Sequence, residues 1–132
     1  MALLLYLDSS AFLRRAFGHA GTAVVDTAVA DYRARGGAVV SSRVLWLEAR
    51  RVAIRETLLG NDVAEPVERQ LDTVEKLPMT EDVWQRAAAI EQHIKTLDAL
   101  HLATCELIGA ELLTFDATMR AVALARGVPL VA

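Results

Sequence analysis

Short apolar runs alternate with longer helix-like segments along nearly the whole chain, and that alternation is what most restricts its fold. Residues 3–7, 38–40, 77–79, 111–115 and 128–131 read as strands. The stretches between them carry apolar residues at helical spacing, over 9–17, 22–35, from Ser41-Ser42 to about 59, 63–75, 80 to 93 or 94, 97–108 and 116–125. Strands separated by helices pair in parallel, because each helix carries the chain back to the same end of the sheet. The first run, AlaLeuLeuLeuTyrLeu at 2–7, is apolar without alternation, as expected of a strand covered on both faces. The expected fold is therefore α/β, three layers around a short parallel sheet, in one domain spanning residues 1–132. In such a sheet a ligand binds beyond the C-terminal ends of the strands.

Turn residues punctuate this pattern. Asp8 or Ser9 stands where a helix cap is wanted, and Thr80 does the same for a later helix. Gly18 and Gly21 bracket a break, Gly36-Gly37 and Gly109 close helices, and Gly60-Asn61-Asp62 form a turn. Pro66 is tolerable in a first helical turn, and Pro78 suits a strand at the sheet edge.

Composition excludes several classes. With 54% apolar and 23% charged residues the chain has material for a core and is not of disordered type. One cysteine, Cys105, excludes an internal disulfide framework and makes the cytoplasm the simplest compartment. The run at 2–7 is too short for a signal-peptide core, with no basic residue before it, and no run is long enough to span a membrane. Net charge is −3 but uneven. Residues 1–55 carry eight arginines against four acids, a balance of +4, while 56–132 carry six bases against thirteen acids, a balance of −7. An anionic ligand is thus expected to meet the N-terminal part, although an arginine-rich helix surface is the ordinary explanation.

Four acids stand out. Asp8 and Asp116 each follow a strand directly, so both belong to the same rim. Either one, and Asp98 near a helix start, has an ordinary explanation as a cap. Glu48 does not. It lies mid-helix with Val44, Leu45 and Val52 on its face, where a carboxylate is costly unless its charge is compensated. Arg51 or Arg55 is one expected compensation, and a metal ion is the other. Clustered carboxylates without a histidine or cysteine ligand favour a hard cation such as Mg²⁺ or Mn²⁺ over zinc. Such sites suit phosphodiester hydrolysis. Without these four acids the chain would carry +1, a charge compatible with a nucleic-acid partner.

These residues carry a family resemblance. LDSSAFLR at 7–14 resembles the opening motif of PIN domains of the VapC toxin group. Ser41 to Glu48 resembles their second motif, and LDALHLATCELIGAELLTFD at 97–116 the third and fourth run together. The tail from 119 to 131 is similar to the family's last helix and strand. The resemblance implies a PIN-type α/β/α fold and an Mg²⁺- or Mn²⁺-dependent endoribonuclease. It implies a toxin inhibited by a small VapB-type antitoxin, a homodimer, and a structured RNA such as tRNA or rRNA as substrate. Asp8, Glu48, Asp98 and Asp116 match the four family acids, which would hold the metal and carry catalysis. Ser9 and Thr114 would orient them. Arg14 and Arg15 are candidate phosphate contacts. The expected products carry 5′-phosphate and 3′-hydroxyl ends.

His101, one turn beyond Asp98, is expected to be structural and hydrogen-bonded near the rim. Cys105 is expected in the core, and Trp46 and Trp84 in packing or an interface. A receiver domain of similar layout needs an acidic pair after the first strand and a late lysine. Leu7-Asp8-Ser9 holds one acid and no lysine follows Lys95, which argues against that fold. The remaining alternative is a catalytically inactive PIN-like module that binds RNA or protein.

Overall fold

The computed structural model describes residues 3–131, and Ala2, where the first apolar run begins, lies outside them. Among the described residues the elements run β1 (Leu4–Leu7), α1 (Ser9–Phe17), α2 (Thr22–Ala34), β2 (Ala38–Ser42), α3 (Val44–Leu58), α4 (Ala64–Leu71), β3 (Glu75–Leu77), α5 (Glu81–Ala88), α6 (Thr96–Ile108), β4 (Glu111–Leu113) and α7 (Ala117–Ala125). All four strands are parallel, in the order β3-β2-β1-β4. This is the three-layer α/β/α arrangement the alternation predicts.

The two faces of the sheet separate by strand period. Leu5 and Leu7 of β1, Val39 of β2 and Leu113 of β4 pack with Phe12, Val25, Val29 and Ala49 from α1, α2 and α3. Tyr6, Val40 and Leu112, one residue out of step, pack with Leu102 and Cys105 of α6 and Met119 and Val122 of α7. The strands β1, β2 and β4 therefore each feed two cores, which is why residues 3–7 show no polar alternation.

The connections fix where a site can lie. From β1 the chain returns through α1 and α2 to β2, then through α3 and α4 to β3, moving outward each time. After β3 it crosses to the other side of β1 through α5 and α6 and enters β4. The loops leaving β1 and β4 thus diverge to opposite faces. Such a switch point opens a crevice at the C-terminal ends of adjacent strands.

Several boundaries differ from the sequence reading. Ser41 and Ser42 finish β2 instead of opening the next helix. Ser41 Oγ donates to Leu7 O at 2.6 Å, and Ser42 pairs with Leu77, so both stay extended. The helix expected to reach residue 75 stops at Leu71, and Glu75–Leu77 forms the edge strand. Pro78, which lacks an amide donor, falls just past that strand instead of inside it. The helix capped by Thr80 ends at Ala88, well short of His93. Ile90 and Ile94 pack beside Tyr6 and Leu102 as loop residues. The last expected strand, 128–131, is reduced to one bridge between Leu112 and Leu130. Pro129 contributes only its carbonyl, which accepts from Leu112 N–H at 2.8 Å. No helix among the described residues is long and apolar enough to cross a membrane.

Candidate active site

Asp8 lies at the switch point, immediately after β1, with extended backbone as the N-cap of α1. Its Oδ1 accepts from the Ala11 amide at 3.0 Å and from Ser10 Oγ at 2.7 Å, while its Oδ2 accepts from the Thr114 hydroxyl. The residue is only 1% exposed. Burial pushes its carboxyl above the ordinary range, and the Thr114, Ala11 and Ser10 donors pull it back. Thr114, just past β4, also accepts from the Asp116 amide at 3.1 Å. Ser10 Oγ accepts from the Phe115 amide at 2.9 Å. One hydroxyl pair thus ties the end of β1 to the end of β4.

Asp116 caps α7, its Oδ1 accepting from Met119 N–H at 2.7 Å. Asp98 does not cap. Lys95 stands at the cap position of α6 without a side-chain bond, and Asp98 is the third residue inside the helix. The capping explanation offered by the sequence fails for it. Its carboxyl is raised first by burial, then by the charges of Asp116 and Asp8, and more weakly by Glu48, with His101 opposing. The other three acids therefore stand within electrostatic reach of Asp98.

Glu48 is compensated by neither arginine suggested by its helix. Arg51 and Arg55 are exposed, and the partner is His101, whose Nε2 lies 2.6 Å from Glu48 Oε1. His101 is fully buried and hydrogen-bonded at both nitrogens, with Tyr6 Oη 2.7 Å from Nδ1.

The remaining sequence candidates divide. Thr114 meets Asp8 directly, but the serine that does so is Ser10 and not Ser9. At the second helical position, Ser10 turns its hydroxyl back onto the cap. Arg14 Nη1 donates to Ala20 O at 2.7 Å, and its guanidinium lies 4.4 Å from the centre of the Phe115 ring. Arg15 pairs with Asp26 at 2.8 Å. Both arginines hold α1 against the segment that follows it. Sequence reasoning missed Tyr6 and Ser10. A tyrosine inside an otherwise aliphatic buried strand was the available signal, since its hydroxyl needs a partner.

Whether these acids suit a divalent cation can be tested on their chemistry. Four carboxylates and no free imidazole make a hard-oxygen set, and the repulsion that adds to burial in raising Asp98 is what a cation relieves. Yet among the described residues no group of three or more Asp, Glu, His or Cys side chains is arranged to hold an ion as placed. The acids are gathered, not clamped, and would have to draw closer to share one ion.

Thr114→Val keeps the side-chain shape but removes the donor to Asp8 and the acceptor for Asp116 N–H. The expected loss is about 1–3 kcal/mol of stability in a urea titration, with Thr114→Ser retaining most of it. Equal midpoints for wild type and Thr114→Val would contradict the clamp.

Comparison with known proteins accords with this geometry. The PIN domain family model matches residues 5–125. No curated protein matches the chain. Among solved structures, VapBC2 from Rickettsia felis bound to a DNA fragment from its promoter is similar at a TM-score of 0.74, with 11% identity over 98% of each chain. VapBC-1 from nontypeable Haemophilus influenzae gives 0.72 and 12%, covering 98% of this chain and 97% of that one. A toxin–antitoxin complex from Klebsiella pneumoniae gives 0.66 and 22%, covering 97% and 96%. At these identities the likeness is one of fold.

Proposed function

As this chain belongs to the PIN-domain family, we propose that it is an Mg²⁺- or Mn²⁺-dependent endoribonuclease, the toxin of a VapBC-type toxin–antitoxin module. It would act in the cytoplasm on a structured RNA such as tRNA or rRNA. The single observation that carries the reading is the environment of Asp98, a carboxyl raised first by burial and then by the charges of three other acids drawn from three other parts of the chain. Such crowding is costly to a protein that only folds and useful to one that binds a cation and a phosphodiester. The toxin role rests on the kinds of complexes found among the similar folds. A VapB-type antitoxin and a second copy of the chain are the partners it implies.

Asp8, Asp98 and Asp116 would hold the cation, and Glu48 would complete the set or place the attacking water. The cation supplies charge neutralisation at the phosphate and lowers the pKa of water. The protein's own part is orientation. Ala11, Ser10 and Thr114 fix Asp8 before any ligand arrives, so little ordering remains when RNA binds.

The test is incubation with structured RNA plus Mg²⁺ or Mn²⁺, with EDTA and Asp8→Asn as controls. The expected products carry 5′-phosphate and 3′-hydroxyl ends. Cleavage that survives EDTA, or that leaves 2′,3′-cyclic phosphates, overturns the mechanism. RNA binding without cleavage in either metal returns the chain to a binding-only module.

A further inference from the structure

We infer that Tyr6 and His101 are positioning residues for Glu48, through a buried hydrogen-bond line that presents its carboxylate in one orientation. The line runs from the Ser42 amide to Tyr6 Oη at 3.1 Å, from Tyr6 Oη to His101 Nδ1 at 2.7 Å, and from His101 Nε2 to Glu48 Oε1 at 2.6 Å. This inference rests on the nuclease reading and assigns that site two residues outside its acids.

The polarity follows from the first link. A backbone amide only donates, so Tyr6 Oη accepts from Ser42, and we assign its own proton to His101 Nδ1, 2.7 Å away. An imidazole that accepts at Nδ1 carries its proton on Nε2, and that proton goes to Glu48 Oε1. Tyr6 and His101 are fully buried, so water does not compete for either bond. Burial holds the Tyr6 hydroxyl well above its ordinary pKa, which keeps it a donor. The two rings meet edge to face, with centroids 5.7 Å apart and planes at 81°, so the imidazole is fixed by packing as well. Glu48 Oε2 is left for the cation or its water. The glutamate is thereby placed by the central strand and α6, and not by its own helix.

Tyr6→Phe removes one oxygen. His101 is then free to carry its proton on Nδ1, and a bare Nε2 would face a carboxylate oxygen and repel it. His101→Gln can still offer an amide donor to Glu48, while His101→Leu cannot. Three readouts test this on the full chain. Long-range proton–nitrogen NMR of wild-type His101 is expected to show the Nε2–H form, and Tyr6→Phe a mixture. Titration calorimetry with Mn²⁺ alone is expected to show affinity about tenfold weaker in Tyr6→Phe, the lower end for loss of an outer partner. With RNA, kcat should fall and KM should stay. His101→Gln should hold Mn²⁺ more tightly than His101→Leu.

The inference is overturned if wild-type His101 carries its proton on Nδ1. It is also overturned if Tyr6→Phe matches wild type in Mn²⁺ affinity and kcat, or if the glutamine and leucine variants are alike. In those cases wild-type cleavage and Mn²⁺ binding still stand, so the nuclease reading survives. A wild-type chain that binds no Mn²⁺ overturns both.

Discussion

Asp98→Asn is expected to raise the melting temperature measured in EDTA while lowering RNA cleavage roughly 10³-fold, the effect of losing about 4 kcal/mol of charge stabilisation. The two effects oppose each other because one feature causes both. The Asp98 carboxyl is raised by burial and by its acidic neighbours, so its charged form is worse off in the folded chain than in the unfolded one. A carboxyl shifted this way leaves stability intact below its unfolded pKa. Stability then falls as pH rises toward the higher folded value, and stays reduced beyond it. Asp8 is shifted in the same direction. In EDTA the wild type should therefore melt lower at neutral pH than in mild acid, as far as these two groups decide it. Asp98→Asn removes its share of that loss. Adding Mg²⁺ should stabilise the wild type by about 2.7 kcal/mol at a hundredfold excess over Kd, raising its melting point, and do far less for the variant. A variant that melts lower in EDTA yet still cuts RNA would overturn the assignment of Asp98 to the cluster.

The second large effect is structural. Leu102→Ala should cost about 2–5 kcal/mol in denaturant, or roughly 10 °C in melting temperature. Leu102 is fully buried and packs with Tyr6, Leu112 and Met119, so its loss opens a cavity between α6 and the sheet. Against a total stability of about 5–15 kcal/mol that is a large fraction. Leu102 also adjoins His101, so activity should fall at temperatures where the chain remains folded. A midpoint within 1 kcal/mol of wild type would mean that the neighbours collapse into the space.

The sheet and the rim were legible in the sequence, and the lateral bonds of the site were not. Asp8 and Asp116 could be assigned to one rim because each follows an apolar run, and parallel strands end together. Glu48 could be singled out because its helix face is apolar. Its partner could not, since helical spacing points only to Arg51 and Arg55 whereas His101 lies 53 residues away. Ser10 was missed in favour of Ser9 because both suit a helix start, and only the geometry of the first turn tells them apart. The shortened helices share a cause. Periodicity continues through Ile90 and Ile94 because both are apolar, yet both pack as loop residues. Pro78 and Pro129 were read as strand residues from their neighbours, but neither has the amide proton that a ladder needs.

The bond between Thr114 and Asp8 spans 106 residues, and β4, which Thr114 directly follows, is the last of the four strands in chain order. The chain is made from its N-terminus. Asp8 emerges first with Ser10 and Ala11, and the third group that orients it is not synthesised until Thr114. Asp98 and Asp116 belong to the same late stretch. A ribosome therefore holds an incomplete set of carboxylates until translation has passed Asp116, and the assembled rim exists only afterwards.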